Sequence, residues 1–109
     1  MSVLNVTDKE IGWLKLFGDP AQLAKDAVYL FVKNKIEAKM EEYRNKCLFF
    51  EKKYESTFHV FVDKVESDES YVKAINAIHP LWEKDMIQWE FYHKELEEWT
   101  KKLRDILEK

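Results

Sequence analysis

The feature that most constrains this chain is the absence of glycine and proline between Pro20 and Pro80. Turns and irregular loops depend on these two residue types, and the 109-residue chain otherwise contains only Gly12 and Gly18. Charged residues make up 36% of the chain and hydrophobic residues 46%. Such a mixture with so few breakers is typical of long helices, so the sequence predicts an all-α protein. Its length suits a single domain, residues 1–109.

The N-terminal residues predict a short helix. Thr7 precedes Glu10 by three residues, which is the spacing of a capping box, and we expect a helix over about 8–17. Gly18 follows where a glycine commonly ends a helix. Before this helix, residues 2–6 read SVLNV and favour a brief strand or an extended arm.

A long second helix is predicted to begin at Asp19, a good N-cap, and Pro20, which suits the first helical position. Further along, its apolar residues recur in steps of four and three, which is the heptad pattern of a coiled-coil seam. These seam residues are Ile36, Met40, Tyr43, Cys47, Phe50 and Tyr54. The polar residues 55–57 then favour a break, and one unbroken helix into the 60s is the alternative.

The C-terminal half predicts a loop and two further helices. Residues 66–70, ESDES, favour an acidic loop, and a short helix over about 69–78 follows. His79 precedes Pro80, and the residue before proline is biased away from the helical conformation. The last helix is expected over 81–107, with a second heptad seam formed by Trp82, Met86, Trp89, His93, Leu96, Thr100, Leu103 and Leu107.

Two heptad helices joined by a small helical insert predict a long, coiled-coil-like antiparallel hairpin over residues 36–109. The short N-terminal helix falls in residues 1–35, which form a candidate dimerisation segment. Because two helices alone bury little apolar surface, the N-terminal helices or a second chain must cover the remaining edge.

Groups that carry catalysis are scarce in this sequence. With two glycines it contains neither a phosphate-binding loop nor a G-x-S-x-G motif. His59, His79 and His93 do not have the H-x-x-x-H spacing of a helical metal site. Glu90 and His93 form one Glu-x-x-His pair, but di-iron bundles use two, so packing is the simpler explanation. Cys47 lies in the seam, where a buried packing role is favoured. We therefore expect no enzyme activity, no catalytic or metal site and no cofactor.

Charge and cysteine content bear on location and on the class of partner. A net charge of −3 does not indicate a nucleic-acid-binding protein. The single cysteine fits a reducing compartment. There is neither a secretory signal nor a segment of about 20 apolar residues that could cross a membrane. The sequence thus predicts a soluble, cytoplasmic protein without a membrane partner.

Aromatic residues are abundant, with seven Phe, five Tyr and four Trp. Tyr and Trp are enriched at protein-binding hot spots, although a tryptophan row at helical spacing is more often part of a core. The spacing of the first seam continues through Phe58 and Phe61, and Trp99 widens the second seam. Exposed aromatics of these seams are the candidate partner-binding residues, with the acidic loop tuning specificity. The candidates are Phe58, Phe61, Trp82, Trp89 and Trp99.

Three segments together resemble a known class of proteins. They are Gly18-Asp19-Pro20 leading into AQLAKDAVYLFVKNKI, then FFEKKY at 49–54 followed by STF at 56–58 and Phe61, and the closing helix with Trp89-Glu90. This order resembles small helical antitoxin-like proteins of prokaryotic, often archaeal, toxin–antitoxin pairs. The resemblance implies a non-enzymatic protein that binds and neutralises a small cognate toxin.

The N-terminus also resembles a ribbon-helix-helix repressor, with SVLNV in the position of the DNA-reading strand. No Arg or Lys lies in residues 2–6, so pairing of two strands into a homodimer fits this segment better than DNA reading. Two other hypotheses stay open. One is a self-assembling structural protein, or an accessory protein of a virus or mobile element. The other is a weak DNA-binding repressor that uses residues 2–35.

Overall fold

The computed structural model describes residues 6–108, and every regular element in this range is an α-helix. The five helices are α1 (Asp8–Leu14), α2 (Pro20–Tyr54), α3 (Phe58–Ser67), α4 (Glu69–Ile78) and α5 (Trp82–Leu107). The prediction of an all-α fold is therefore confirmed. The strand or arm predicted at 2–6 lies, apart from its last residue, outside the described residues.

The predicted capping box begins α1, but the predicted end of this helix is wrong, because α1 ends at Leu14 with Lys15 as its cap rather than at Phe17 before Gly18. The Glu10 N–H donates to Oγ1 of Thr7 at 3.2 Å, and the Thr7 N–H donates to Oε1 of Glu10 at 3.4 Å. Gly18 has a φ of 149°, which side chains rarely allow, so a glycine is needed there. Asp19 then caps α2, since its Oδ2 accepts a hydrogen bond from the Gln22 N–H at 3.1 Å.

The break predicted at 55–57 is confirmed. Glu55 adopts a left-handed conformation with a φ of 50°, and the Ser56 N–H donates to the Glu51 carbonyl at 3.1 Å. This is the hydrogen bond of a Schellman motif, which ends a helix by satisfying one of its last carbonyls. Thr57 begins the next helix, because its Oγ1 accepts from the Val60 N–H at 3.4 Å.

Glycine at this break is expected to stabilise the fold. Glu55→Gly should raise the free energy of unfolding by about 0.5–1 kcal/mol, because glycine adopts positive φ without a Cβ penalty. The matched control is Ala38→Gly at an exposed position in the interior of α2, which should lower stability by about 1 kcal/mol. Urea denaturation followed by circular dichroism measures both, and a loss of stability in Glu55→Gly would contradict the assignment of the motif.

The predicted acidic loop at 66–70 is wrong. Asp68 is the one residue between α3 and α4 that is not helical. Its Oδ1 accepts hydrogen bonds from the Ser70 hydroxyl at 2.6 Å, the Ser70 N–H at 3.0 Å and the Tyr71 N–H at 3.2 Å. These hydrogen bonds, the one from the Ser70 side chain above all, lower the pKa of the Asp68 carboxyl. The acidic residues thus begin a helix rather than form a loop.

The boundary predicted at residues 79–80 is confirmed. α4 ends at Ile78 with His79 as its C-terminal cap, and α5 begins at Trp82, one residue later than expected. The indole N–H of Trp82 donates to Oδ1 of Asn76 at 2.6 Å, which joins the start of α5 to α4.

The chain divides into two compact units between Lys35 and Ile36. This is the position where the sequence separates the candidate dimerisation segment from the predicted hairpin. α1 and the first part of α2 belong to the first unit, and the rest of α2 with α3, α4 and α5 belongs to the second.

The second unit contains the predicted antiparallel hairpin. Ring centroids of Tyr43 and Tyr92 lie 6.1 Å apart, those of Phe50 and Trp89 lie 5.7 Å apart, and Lys53 pairs with Asp85 at 2.6 Å. Residue numbers therefore rise along α2 as they fall along α5. α3 and α4 form the small helical insert between them.

The core of the second unit is aromatic. Phe61 and Trp89 are completely buried, and the ring centroid of Trp89 lies within 6.0 Å of those of Phe50, Tyr54, Phe58 and Phe61. The buried cluster consists of Cys47, Phe50, Tyr54, Phe61, Trp82 and Trp89. The cysteine is buried as the sequence predicted, and burial, with the nearby Glu51 charge, raises the pKa of its thiol.

Candidate functional site

Three of the five predicted partner-binding aromatics belong to the protein's own core. Phe61 and Trp89 have no exposed surface, and Trp82 is 8% exposed. The prediction that they are exposed is therefore wrong. A partner cannot contact them while the second unit is folded, because the heptad seam to which Trp82 and Trp89 belong faces α2 and α3.

The other two predicted residues are half-buried and lie in different surroundings. The Phe58 ring stacks on the His93 ring at 5.0 Å and meets the edge of Trp89 at 5.5 Å. Trp99 lies outside the buried cluster, and Nζ of Lys102 lies 5.0 Å from the centroid of its ring. A partner-binding role for these two residues stays a prediction.

Exposed large apolar residues are instead concentrated along the first unit. Of the described residues before Ile36, none is buried. Leu16 is 76% exposed, Phe17 82% and Phe31 63%, values typical of surface residues rather than of a core. The exposed large apolar residues of this unit are Val6, Trp13, Leu16, Phe17, Val28, Tyr29, Leu30, Phe31 and Val32.

Within this surface, residues 27–32 form an uninterrupted apolar segment, AVYLFV, inside α2. Successive helical residues are rotated by about 100°, so six of them cover every side of the helix. A helix that is apolar on all sides is normally buried. We name residues 27–32 the apolar collar. The run is visible in the sequence, but heptad periodicity does not identify it, because the collar follows no single stripe of the helix.

The second unit also has exposed large apolar residues, but fewer for its length. Phe49 is 61% exposed, Ile87 67% and Phe91 54%. Phe49 also lines a shallow surface cavity beside Phe50 and Tyr92. Single apolar residues on a surface are common, and these lie in a unit that has a buried core of its own. They therefore indicate a partner-binding site less strongly than the collar does.

A half-buried polar cluster lies where α2 meets α5. Oδ2 of Asp85 accepts hydrogen bonds from the Lys53 ammonium at 2.6 Å and from the Tyr54 hydroxyl at 2.6 Å. Burial raises the pKa of Asp85, but these two donors and the nearby charges of Lys53 and His79 outweigh it, so the net shift is downward. Burial, followed by the Asp85 hydrogen bond, raises the pKa of Tyr54. A carboxylate that stays ionised and a phenol that stays protonated suit a structural tie between helices.

Two histidines that are distant in sequence meet in the fold. His59 near the start of α3 and His93 on α5 have ring centroids 4.9 Å apart at 89°. Oε1 of Glu97, one helical turn beyond His93, lies 2.7 Å from its Nε2. One potential ligand atom from each of these three residues lies within 4.8 Å of the other two. Glu90, which the Glu-x-x-His spacing suggested as a partner of His93, pairs with Lys94 at 2.8 Å.

Comparison of the chain with protein-family models, with curated proteins and with solved structures gives no match. The resemblance to antitoxin-like proteins therefore stays a hypothesis. Within the described residues, no helix combines the length and the apolar character needed to span a membrane.

Proposed function

We propose that this chain is a non-enzymatic protein-binding module whose binding segment is residues 6–35. The observation that carries the proposal is the contrast between the two units. The second unit buries a compact aromatic core, whereas none of the described residues of the first unit is buried. Exposed apolar surface of this extent on an ordered helix marks a protein-interaction site.

The charges of the binding segment favour a protein over a nucleic acid. Its basic residues are almost balanced by acidic ones, whereas binding to phosphates requires an excess of Lys and Arg on one face. The basic residues are Lys9, Lys15, Lys25, Lys33 and Lys35, and the acidic ones are Asp8, Glu10, Asp19 and Asp26. Apolar contacts rather than charge would therefore supply most of the affinity.

The apolar collar favours an apolar groove in another protein as its occupant. A helix that packs against one neighbouring helix buries a stripe of roughly 100°, and the collar is apolar far beyond such a stripe. A groove that closes around the helix covers several sides at once. A second copy of this chain laid alongside would leave part of the collar in water.

The resemblance to antitoxin-like proteins suggests which class of protein the partner belongs to. The partner would be a small cytoplasmic toxin whose activity ceases when its groove receives residues 6–35. The aromatic residues that contact it would be Trp13, Phe17 and Phe31, which are exposed, in place of the core aromatics Phe61, Trp82 and Trp89. Aromatic anchors of this kind dominate the energetics of protein interfaces.

The proposal is tested by a substitution that introduces a charged side chain into the apolar collar. Phe31→Glu should weaken capture of the cognate protein more than tenfold, since loss of a central anchor costs about 2 kcal/mol or more. The matched control is Ile87→Glu, because Ile87 is 67% exposed and Phe31 is 63% exposed. Each tagged variant is incubated with source-cell lysate, and the captured protein is identified, purified and titrated. Circular dichroism should show the same helicity in both variants.

Two outcomes would overturn the proposal. Equal affinity of Phe31→Glu and the wild type for the captured protein would remove the collar from the interface. A homo-oligomer that Phe31→Glu dissociates, with no other protein bound, would make a second copy the occupant and support the self-assembling alternative. Growth arrest by the captured protein, relieved by co-expression of the wild type but not of Phe31→Glu, would establish the antitoxin role.

A further inference from the structure

We propose that His59, His93 and Glu97 form a binding site for a zinc ion. The site lies wholly in the second unit, between α3 and α5. It shares no residue with the segment proposed to bind a partner, so the two proposals stand or fall separately.

The placement of the three side chains follows from the two helices. His93 and Glu97 are separated by four residues on α5, which places them on the same face one turn apart. α3 packs against this face and presents His59 edge-on to His93. Two ligands fixed on one helix and a third from a second helix give a site that closes only when α3 is docked.

The distances are those of a site that a small movement would complete. Zinc bonds of about 2.0–2.1 Å in a tetrahedron place neighbouring ligand atoms roughly 3.4 Å apart. The ligand atoms of this cluster lie within 4.8 Å of one another, and the His93–Glu97 pair is at 2.7 Å. His59 is exposed, and the Glu97 side chain is 63% exposed. Rotation of these two solvated side chains is enough to reach the required spacing.

The surroundings of Nε2 of His93 favour a bound metal ion. This nitrogen is buried and has no hydrogen-bond partner in the described part of the chain, although Oε1 of Glu97 lies 2.7 Å away. The two atoms are close without the geometry of a hydrogen bond. A buried polar atom without a partner is costly, and a metal ion between Nε2 and the carboxylate would satisfy both.

The ring of His93 is also held in place. It stacks on Phe58 at 5.0 Å, so packing restrains the imidazole. Support of a ligand by its neighbours raises metal affinity because less ordering is needed on binding.

The donor set selects the class of metal. Imidazole nitrogens suit zinc, copper, nickel and iron, whereas magnesium and calcium prefer sites built of oxygen atoms alone. Two histidines and one glutamate are an established ligand set for zinc, and the fourth position stays open for water or a ligand from another molecule. An ion pair between His93 and Glu97 would not explain why His59 lies edge-on to His93.

The test is titration of the tag-free full chain with ZnCl₂ in an isothermal calorimeter. The wild type is expected to bind one Zn²⁺ per chain. His59→Gln and Glu97→Gln should each weaken binding at least tenfold, because each removes one of three protein ligands. The matched controls are His79→Gln and Glu98→Gln, which remove a histidine and a carboxylate outside the cluster and should bind as the wild type does.

The melting temperature distinguishes a specific zinc site from weak binding at the surface. Zinc at about 100 times its dissociation constant should raise the melting temperature of the wild type by about 10 °C, since it binds only the folded arrangement. The rise should disappear in His59→Gln. Absence of zinc binding in the wild type, or equal binding by His59→Gln and the wild type, would overturn the proposal.

Discussion

Trp89→Ala is expected to lower the free energy of unfolding by about 3–5 kcal/mol, the range for removal of a large aromatic side chain from a core. Trp89 has no exposed surface, and its ring meets those of Phe50, Tyr54, Phe58 and Phe61. Domains of this size have total stabilities of about 5–15 kcal/mol, so the variant will be close to unfolding at 25 °C. Urea denaturation followed by circular dichroism measures the loss.

Two further variants serve as comparisons for Trp89→Ala. Trp99→Ala removes a tryptophan from the same helix, but one that is half-buried and outside the buried cluster, and should cost about 1 kcal/mol. Trp89→Phe keeps most of the ring packing and removes an indole N–H that has no hydrogen-bond partner among the described residues. It should therefore cost less than half as much as Trp89→Ala. Equal losses in Trp89→Ala and Trp99→Ala would contradict the assignment of Trp89 to the centre of the core.

This result bears on how partner binding can be tested. A polar substitution at Trp89 or Phe61 would abolish binding by unfolding the second unit, whatever surface the partner uses. Loss of a pull-down partner would then say nothing about the interface. Only exposed positions such as Phe31 and Ile87, which can carry a charge without loss of folding, distinguish a contact residue from a core residue.

The heptad pattern was the most reliable guide to the fold. Buried or half-buried residues occupy the α2 seam from Ile36 to Tyr54, and the antiparallel pairing with α5 is the one that the two seams predicted. The same pattern also explains why the prediction that Phe61, Trp82 and Trp89 are exposed is wrong. Periodicity identifies the face of a helix that is covered, but it does not say whether the cover is the same chain or another.

Contacts between helices could not be predicted in the same way. The meeting of His59 with His93 depends on how α3 docks on α5, and that follows from the left-handed residue Glu55 and the single-residue junction at Asp68. Neither turn contains the Gly or Pro that usually marks one. The acidic residues around Asp68 predict a loop because such clusters are usually solvated, but the Asp68 carboxylate caps the start of α4.

At acid pH, stability should depend mainly on Asp85, since Asp68, whose pKa is also lowered, is exposed and contributes less. Burial acts to raise the pKa of Asp85, but the hydrogen bonds from Lys53 and Tyr54 and the charges of Lys53 and His79 give a net decrease on folding. A carboxyl whose pKa is lowered by folding contributes stability that is complete above its unfolded pKa of about 3.9 and is lost as the pH falls through its folded pKa. Urea midpoints measured from pH 6 to pH 2 should therefore fall most steeply below about pH 4.

Asp85→Ala should remove this part of the acid dependence and lower stability at pH 7 by about 2 kcal/mol, the range for loss of hydrogen bonds to a charged group. Lys53 is partly solvated, with 31% of its side chain exposed, which keeps the cost below that of a fully buried pair. Glu83→Ala on the exposed face of the same helical turn is the control and should change stability by less than about 0.5 kcal/mol. An unchanged acid limb in Asp85→Ala would refute the assignment.

The loss of stability at alkaline pH should depend mainly on Tyr54, whose hydroxyl donates to Asp85. Folding raises the pKa of Tyr54, through burial first and the Asp85 hydrogen bond second, so its stabilisation is complete below the unfolded pKa of about 10 and is lost as the pH rises beyond it. Tyr54→Phe should reduce this loss, whereas Tyr29→Phe at an exposed position should not. Burial also raises the pKa of Tyr71 and of Cys47, and the Glu90 hydrogen bond raises the pKa of Lys94, so a residual slope is expected in Tyr54→Phe. Because one hydrogen bond links both groups, the double variant Tyr54→Phe/Asp85→Ala should lose less stability than the sum of the two single losses.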